Sequence, residues 1–374
     1  MKPAGRLADI EISLIRQINA LATPLSVNLG IGEPNLEPDQ TLRELAREAS
    51  RGPWGYSPNA GFLSLRSLIA AGTRFDPKTE VCVTAGTQEG LYAVFQAYVE
   101  RGDEVLIPNP GFVAYETLAR ICGATPVTYD LEPPEWRVDA AAVAAKITAR
   151  TKLIVVNTPS NPLGAVAEED ALRRLARLAD ERGCLVVSDE VYREIWYERE
   201  PASMLGMGEN VVLANGMSKS HGMTGLRIGW LIARDEIMRP VIKAHQYIAT
   251  CASVFSQRLA ELVLKNGEWN RDWLGRAREQ FTRQREAAMH AITHELGATL
   301  PPPAGAFYAF VPVPLCGTAG FAKALATEAA VLVIPGVAFG SAGEGFVRIS
   351  FAAPIDGIAT GIERIGRYLT AAGR

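Results

Sequence analysis

Asn215-Gly-Met-Ser-Lys-Ser-His-Gly-Met-Thr-Gly-Leu-Arg-Ile-Gly229 is the stretch on which the fold of this chain turns. It holds one lysine, Lys219, among small and hydroxyl residues, and an arginine, Arg227, eight positions later. Val211 to Ala214 before it and Ile228 to Ala233 after it are short apolar runs of the kind that form buried strands. Lys219 is therefore placed on a loop at a strand end, where α/β proteins carry their chemistry. A loop lysine is ordinarily solvated. One held among apolar or cationic neighbours loses its proton more easily and can form a Schiff base with a carbonyl.

Outward from this stretch, strand-like and helix-like segments alternate from about Thr41 to Ala233. Strands are expected at Val81–Thr84, Asp103–Ile107, Thr125–Tyr129, Lys152–Asn157 and Cys184–Asp189. Helices are expected at Thr41–Ser50, Leu63–Ala71, Glu89–Glu100, Asp139–Ile147 and Glu168–Arg182, and helical spacing also runs through Gly5–Ala22. Such alternation predicts an α/β fold, a mostly parallel sheet sandwiched by helices. Beyond Asp235 the pattern changes. Long helices (Ser253–Lys265, Trp269–Glu295) precede a Pro301-Pro-Pro break. Strands at Phe307–Val311, Val331–Ile334 and Phe346–Phe351 then mix with helices at Ala319–Glu328 and Ile355–Ala371, as in an α+β unit. We expect a large domain over 41–245 and a smaller α+β domain built from 1–40 and 246–374.

The 374 residues suffice for two sizeable cores. Hydrophobic residues at 48% and charged residues at 21% are ordinary for a globular protein. The net charge of -3 offers no electrostatic footprint for nucleic acid. No apolar run approaches the roughly 20 residues needed to span a bilayer. The first residues carry charges at Lys2, Arg6, Asp9 and Glu11 and are not expected to form a signal peptide. Cys82, Cys122, Cys184, Cys251 and Cys316 are scattered, odd in number and without a C-x-x-C pair, which predicts thiols in a reducing, cytoplasmic compartment.

Several strand ends run into turns with chemical character. Ala85-Gly86-Thr87-Gln88, between a strand and a helix, offers free N–H groups and a helix dipole to an anion. Val27 to Pro34 enters a Gly-rich turn, where backbone can approach a ligand closely. Pro108-Asn-Pro-Gly-Phe-Val-Ala-Tyr115 places Phe112 just past a strand. Asn157-Thr-Pro-Ser-Asn-Pro-Leu-Gly164 is a rigid polar turn, and its Asn161–Pro162 bond is a candidate cis peptide. Cys184-Leu-Val-Val-Ser-Asp189 closes an apolar strand on a carboxylate, which is costly unless paired. Val347-Arg-Ile-Ser350 sets Arg348 on an apolar strand, and a planar guanidinium suits bidentate binding of a carboxylate.

Taken together, these motifs resemble those of pyridoxal-phosphate (PLP) aminotransferases of class I/II, fold type I, the aspartate and aromatic aminotransferases among them. The family's S-x-S-K and G-x-R-x-G appear as Gly216-Met-Ser-Lys219 and Gly225-Leu-Arg-Ile-Gly229. Its Y-x-x-x-x-G-x-x-x-L-R appears as Tyr56, Gly61, Leu65 and Arg66. P-G-[YF]-x-x-Y, N-x-P-x-N-P-[TL]-G, D-E-x-Y and V-R-[IL]-S follow in the family's order over nearly the whole chain. One position departs: the first serine of the lysine motif, a phosphate ligand in the family, is Gly216.

The resemblance implies that Lys219 holds PLP as a Schiff base and later moves the substrate proton. Gly86, Thr87, Gln88, Ser218 and Arg227 would hold the cofactor, joined by Tyr56 from the partner of a homodimer with shared active sites. Phe112 would stack on the pyridine ring, Asp189 would pair with its nitrogen, and Asn161 and Tyr192 would bond its phenolic oxygen. Gly32, Asn161 and Arg348 would take the substrate carboxylate. The implied reaction is ping-pong transfer of an amino group from an L-α-amino acid to a 2-oxo acid. Gln88 stands where aspartate-specific relatives often carry a lysine, which favours neutral or aromatic donors with 2-oxoglutarate as acceptor. The same motifs are compatible with β-elimination on this scaffold. A ligand-sensing regulator module is the remaining alternative, against which no basic module precedes residue 30. No metal, nucleic acid or membrane partner is expected.

Overall fold

The computed structural model describes residues 4–8, 10–314, 317–371 and 373. Cys316, one of the five thiols counted above, lies outside the described residues. After a single 3-10 turn at Gly5–Leu7, the first helix, α1, covers only Leu14–Asn19. The continuous helical spacing over Gly5–Ala22 is thus not one helix. Ile10-Glu-Ile alternates with β-branched residues, which disfavours helix, and Ser13 caps α1 by accepting from the Arg16 amide at 3.4 Å.

The chain continues through β1 (Val27–Asn28), α2 (Gln40–Ala49), α3 (Leu63–Ile69), β2 (Val81–Thr84), α4 (Thr87–Tyr98) and β3 (Glu104–Asn109). Next come α5 (Ala114–Ile121), β4 (Thr125–Asp130), α6 (Ala140–Lys146), β5 (Thr151–Asn157), α7 (Glu169–Arg182) and β6 (Leu185–Asp189). Then follow β7 (Val211–Gly216), β8 (Gly229–Ile232), α8 (Asp235–Ala249), α9 (Val254–Lys265) and the long α10 (Gly267–Leu296). The last segment holds β9 (Tyr308–Pro312), α11 (Thr318–Glu328), β10 (Val331–Leu332), β11 (Ile334–Pro335), β12 (Phe346–Ser350) and α12 (Ile355–Ala371).

Seven strands form the central sheet in the order β2-β8-β7-β6-β5-β3-β4. All neighbours are parallel except β8, which runs antiparallel to both β7 and β2. Apart from the edge strand β4, the strands are largely buried on both faces, and alternate residues divide between them. Val105, Leu153, Val155, Val187 and Val212 face α4, α5 and α8 through Leu91, Phe95, Leu118 and Val241. Leu106, Ile154, Val156 and Val186 face α7 through Leu172, Leu175 and Ala179. Two smaller sheets, β1-β10 and β11-β12-β9, are built from the chain's two ends. The run Val331–Ile334, expected as one strand, divides between them. α12 packs on α10 and β1, and α9 on α2 and α3. Among the described residues no helix is long and apolar enough to cross a membrane.

Parallel strands β3, β5 and β6 end together, at Asn109, Asn157 and Asp189, and Asn157 lies beside Asp189 in register. The lysine loop leaves β7 at the same edge and returns as β8 without a crossover helix, which is why β8 is antiparallel. At this reversal Gly229 pairs with Gly216 on one side and Thr84 on the other. A Cβ at Gly229 would lie 2.6 Å from the Thr87 amide nitrogen and 2.9 Å from the Gly86 carbonyl carbon. Backbone cannot yield there as a flexible side chain could. Gly229→Ala is expected to destabilise the protein by about 1–3 kcal/mol. Thermal unfolding measures it, and an unchanged Tm would show that this crossing tolerates a side chain.

Candidate active site

The site opens at the C-terminal edge of the sheet as a cavity of about 790 Å³. One end is the turn before α4. Gly86 caps that helix at φ +81°, a conformation glycine adopts without strain, and it has no side chain with which to cap. Glu89 reaches back to accept from the Ala85 amide at 3.0 Å. The first-turn amides of Thr87 and Gln88 therefore remain for an anion. Arg227, itself at φ 52°, lies over the turn, where a Cβ on Gly86 would come within 2.5 Å of its Nη2. Its Nη1 donates to Thr224 O at 2.9 Å. Ser218 is buried at the same wall. Gly216 has no room for the serine hydroxyl common in this motif. A Cβ there would stand 2.8 Å from Ile228 O and 3.0 Å from Thr87 Oγ1. Thr87 Oγ1 occupies that space and donates to Asn215 O at 3.1 Å.

The floor is Asp189. Its carboxylate accepts from Tyr115 Oη at 2.7 Å and from the Val191 amide at 3.3 Å. Asn157 Nδ2 donates to Asp189 O at 2.9 Å, and Asn157 Oδ1 accepts from the Asn161 amide at 2.8 Å. One asparagine thus fixes both the strand end and the start of the Asn161 turn, whose Asn161–Pro162 bond is cis. Burial raises the Asp189 pKa from 3.8 to about 6, against the Tyr115 hydrogen bond that lowers it. Such a carboxylate lacks a cationic partner of its own and suits a protonated ring nitrogen.

Lys219 projects between the anion turn and the floor. Its Nζ donates to Gly32 O at 2.6 Å and lies 5.9 Å from the Tyr192 ring centroid. Burial, then the positive charges of Arg348 and Arg227, lower its pKa from 10.5 to about 8, while Glu33 and Asp189 oppose them. Tyr192 Oη bonds Tyr308 Oη at 2.8 Å. Tyr308 Oη also explains Gly32, since a Cβ at that residue would come within 2.2 Å of it. Arg348 is buried. Its Nη1 donates to Asn161 Oδ1 at 2.8 Å, its Nη2 to Gly30 O, and its guanidinium lies 4.4 Å from the Tyr308 ring centroid and 4.9 Å from that of Phe339. Its Nε is buried without a partner. Phe112 lines the cavity, its ring edge-on to Tyr115 at 5.6 Å.

The structure brings Gly32, Thr87, Gln88, Phe112, Asn161, Asp189, Tyr192, Ser218, Lys219, Arg227 and Arg348 to one cavity, with Gly86 directly behind Arg227. Tyr56 is not among the lining residues and stands 88% exposed. Sequence reasoning gave no role to Tyr115, which meets Asp189, to Tyr308, which meets Tyr192, or to Arg16, which lines the mouth from α1. Tyr115 was signalled by the aromatic motif that contains it; the other two carried no local signal. The cavity fits PLP by its own chemistry. It has an anion cradle that a Cβ would fill, a buried carboxylate at the opposite end, and an amine between them that deprotonates near neutrality.

The family model Aminotransferase class I and II matches residues 26–365. The aromatic-amino-acid aminotransferase 2 of Thermococcus litoralis is 34% identical over 99% of this chain and 98% of its own length. The aspartate aminotransferase of Pyrococcus abyssi is also 34% identical, with the same coverage of both chains. The solved aspartate aminotransferase of Thermus thermophilus with maleate superposes with a TM-score of 0.92 at 32% identity, covering 98% of this chain and 99% of that one.

Two measurements check this site. In cofactor-free protein, acylation of Lys219 followed by peptide mass mapping is expected to rise through about pH 8, because burial and Arg348 disfavour the ammonium form. A midpoint near the ordinary lysine value would contradict the burial of Nζ. Asp189 has its folded pKa raised, so its charge destabilises the fold fully above about pH 6, and the penalty vanishes below the unfolded value of 3.8. Asp189→Asn is therefore expected to stabilise cofactor-free protein at pH 8 by about 1–3 kcal/mol. The same change is expected to lower kcat of the loaded protein at least about tenfold through loss of a charge-assisted bond. A variant less stable at pH 8, or one with unaltered kcat, would overturn that assignment.

Proposed function

Because the chain belongs to the class I and II aminotransferase family, we propose that this cavity moves the amino group of a neutral or aromatic L-α-amino acid to a 2-oxo acid such as 2-oxoglutarate. The protein is an aminotransferase that uses pyridoxal 5′-phosphate and acts on amino acids and 2-oxo acids. One observation carries the assignment of residues. A buried amine that deprotonates near pH 8 sits in the same cavity as a helix N-terminus with free amides and a buried arginine.

In this reading Thr87, Gln88, Ser218 and Arg227 hold the cofactor phosphate, with Gly86 leaving room for Arg227. Phe112 would cover the ring, and Asp189 would hold its nitrogen protonated. Asn161 and Tyr192 bond its phenolic oxygen. PLP supplies a ring that takes up the electron pair left at Cα when its proton departs. Lys219, whose amine loses its proton near pH 8, would take that proton and return it. Gly32, Asn161 and Arg348 orient the substrate carboxylate, Arg348 through its planar fork. Tyr308 sets the Tyr192 hydroxyl and closes the space above Gly32. Tyr56, exposed and outside the lining of this chain's own cavity, completes the site of a partner in a homodimer. We assign the protein to the cytoplasm, with a large domain over 41–245 and a small one over 1–40 and 246–374.

The substrate class rests on the wall. Ile15, Ile31, Leu91, Phe112, Val113 and Leu118 make much of it apolar, and Gln88 adds a neutral amide. A second carboxylate buried beside a neutral amide would lose its hydration without a cation in return. The relatives do not decide this, since one is named for aromatic amino acids and another for aspartate. Arg16, exposed at the mouth, gives an acidic oxo acid a cation that a neutral donor need not displace.

Steady-state kcat/KM for phenylalanine, leucine and methionine is expected to exceed that for aspartate. An aspartate lead of more than about tenfold would overturn the substrate class. Arg16→Ala is expected to lower kcat/KM for 2-oxoglutarate about tenfold while leaving the phenylalanine half-reaction near its original rate. Equal losses in both half-reactions would show that Arg16 does not discriminate between them.

A further inference from the structure

The stretch that carries Lys219 also holds a histidine to which the reaction gives no task. His221 is buried, and both ring nitrogens are engaged: Nδ1 lies 2.8 Å from Ser220 Oγ and Nε2 lies 2.7 Å from Asn270 Oδ1. With the Asn270 oxygen toward the ring, Nε2 carries the hydrogen and Nδ1 accepts from the serine hydroxyl. Burial keeps the imidazole neutral, its pKa lowered to about 4. The Trp273 ring lies parallel to it, at 4° and 6.5 Å between centroids, and its Nε1 donates to Ser220 O at 3.1 Å. The two residues after Lys219 are therefore both held by one turn of α10, from positions 270 and 273 on one helix face.

The same helix holds the other side of the lysine. Arg276 donates to Asp39 at 2.8 Å, Gln280 to Asn35 O at 3.1 Å and Gln284 to Asn35 Oδ1 at 3.2 Å. Asn35 follows the turn whose Gly32 oxygen accepts from Lys219 Nζ. A helix is stiff along its axis. From Asn270 to Gln284 it spans about 21 Å at 1.5 Å per residue. One rod thus sets the lysine loop against the turn that faces it.

We propose that His221 is a positioning residue: it keys the lysine loop to α10 and so fixes where Lys219 Nζ stands relative to the Gly32 turn. It touches neither substrate nor cofactor and acts on proton transfer only through Lys219. The proposal rests on Lys219 being the reacting amine.

His221→Phe keeps a flat ring against Trp273 and removes both hydrogen bonds, whereas His221→Gln retains an amide able to donate to Asn270. For the phenylalanine variant, kcat is expected to fall about tenfold, because small misplacement of a reacting group is costly. KM for the amino donor and Kd for PLP should change by less than about threefold. In cofactor-free protein the Lys219 acylation midpoint should move upward from about 8, as a looser loop lets water reach the amine beside Arg348, Arg227, Glu33 and Asp189. The glutamine variant should recover most of both. Unchanged kcat and midpoint in His221→Phe, or no recovery in His221→Gln, would reduce His221 to core packing. The acylation midpoint needs no cofactor and no turnover, so it tests the hold on Lys219 apart from the reaction assigned to it. A shifted midpoint with unchanged kcat would keep the key but reject Lys219 as the amine whose position limits the rate. Should His221→Phe fail to fold, Asn270→Ala removes the same bond from the helix side, with the same readouts deciding.

Discussion

Positive charge held in little water, on Lys219 and Arg348, is the constraint around which this molecule is arranged. Lys219, Arg227 and Arg348 open on one cavity, and the carboxylates nearest Lys219 are Asp189 and Glu33. Burial of cations is tolerated only where hydrogen bonds or a ligand answer them. Arg348 meets this with two backbone or amide oxygens and two aromatic faces, and leaves Nε without a partner. Lys219 meets it by losing its proton early. Arg227, exposed at the cavity, lies over the open amides of the turn before α4. In the proposed reading, that unanswered charge is held as affinity for a phosphate and a carboxylate. Asp189 is the mirror case, an acid whose charged form burial disfavours.

The sheet makes this arrangement possible because its parallel strands end together. Asn157 and Asp189 fall side by side through register alone, and the Asn157 amide then ties the next turn to the Asp189 carbonyl. The antiparallel return of β8 brings Gly229 against the phosphate turn and lets Arg227 reach over Gly86. Gly216 belongs to the same geometry. Where other members carry a serine, this chain brings the Ile228 carbonyl and the Thr87 hydroxyl into the space, so the lost hydroxyl at 216 is matched by one that arrives from the first residue of α4.

Most of the large sheet was legible, since its strands are apolar runs bounded by turn residues and its helices are amphipathic. The candidate site was legible too, because its residues sit at strand ends within local motifs. What was not legible depends on distance. An apolar run reads alike whether it pairs parallel or antiparallel, so β8 gave no sign of its direction. Val331–Ile334 reads as one strand, yet its two halves serve different sheets, a choice made by β1 and β12 from elsewhere in the chain. The apolar spacing over Gly5–Ala22 hid a cap at Ser13. Tyr308 reaches Tyr192 across 116 residues and Tyr115 reaches Asp189 across 74, separations that no local pattern encodes.

Arg16 shows the same limit with a functional consequence. Judged by motifs, the chain lacks a cation for a distal carboxylate, since Gln88 is neutral. Folded, the N-terminal helix brings one to the mouth. Its position outside the dry part of the cavity matters more than its presence. A ping-pong enzyme must admit two unlike substrates to one wall, and a fixed buried cation would favour one at the expense of the other. An arginine at the rim keeps its hydration when the wall is filled by an apolar side chain, and its long stem can approach when a carboxylate arrives. In the proposed reading, discrimination then rests both on the neutral amide at position 88 and on how far the rim arginine moves.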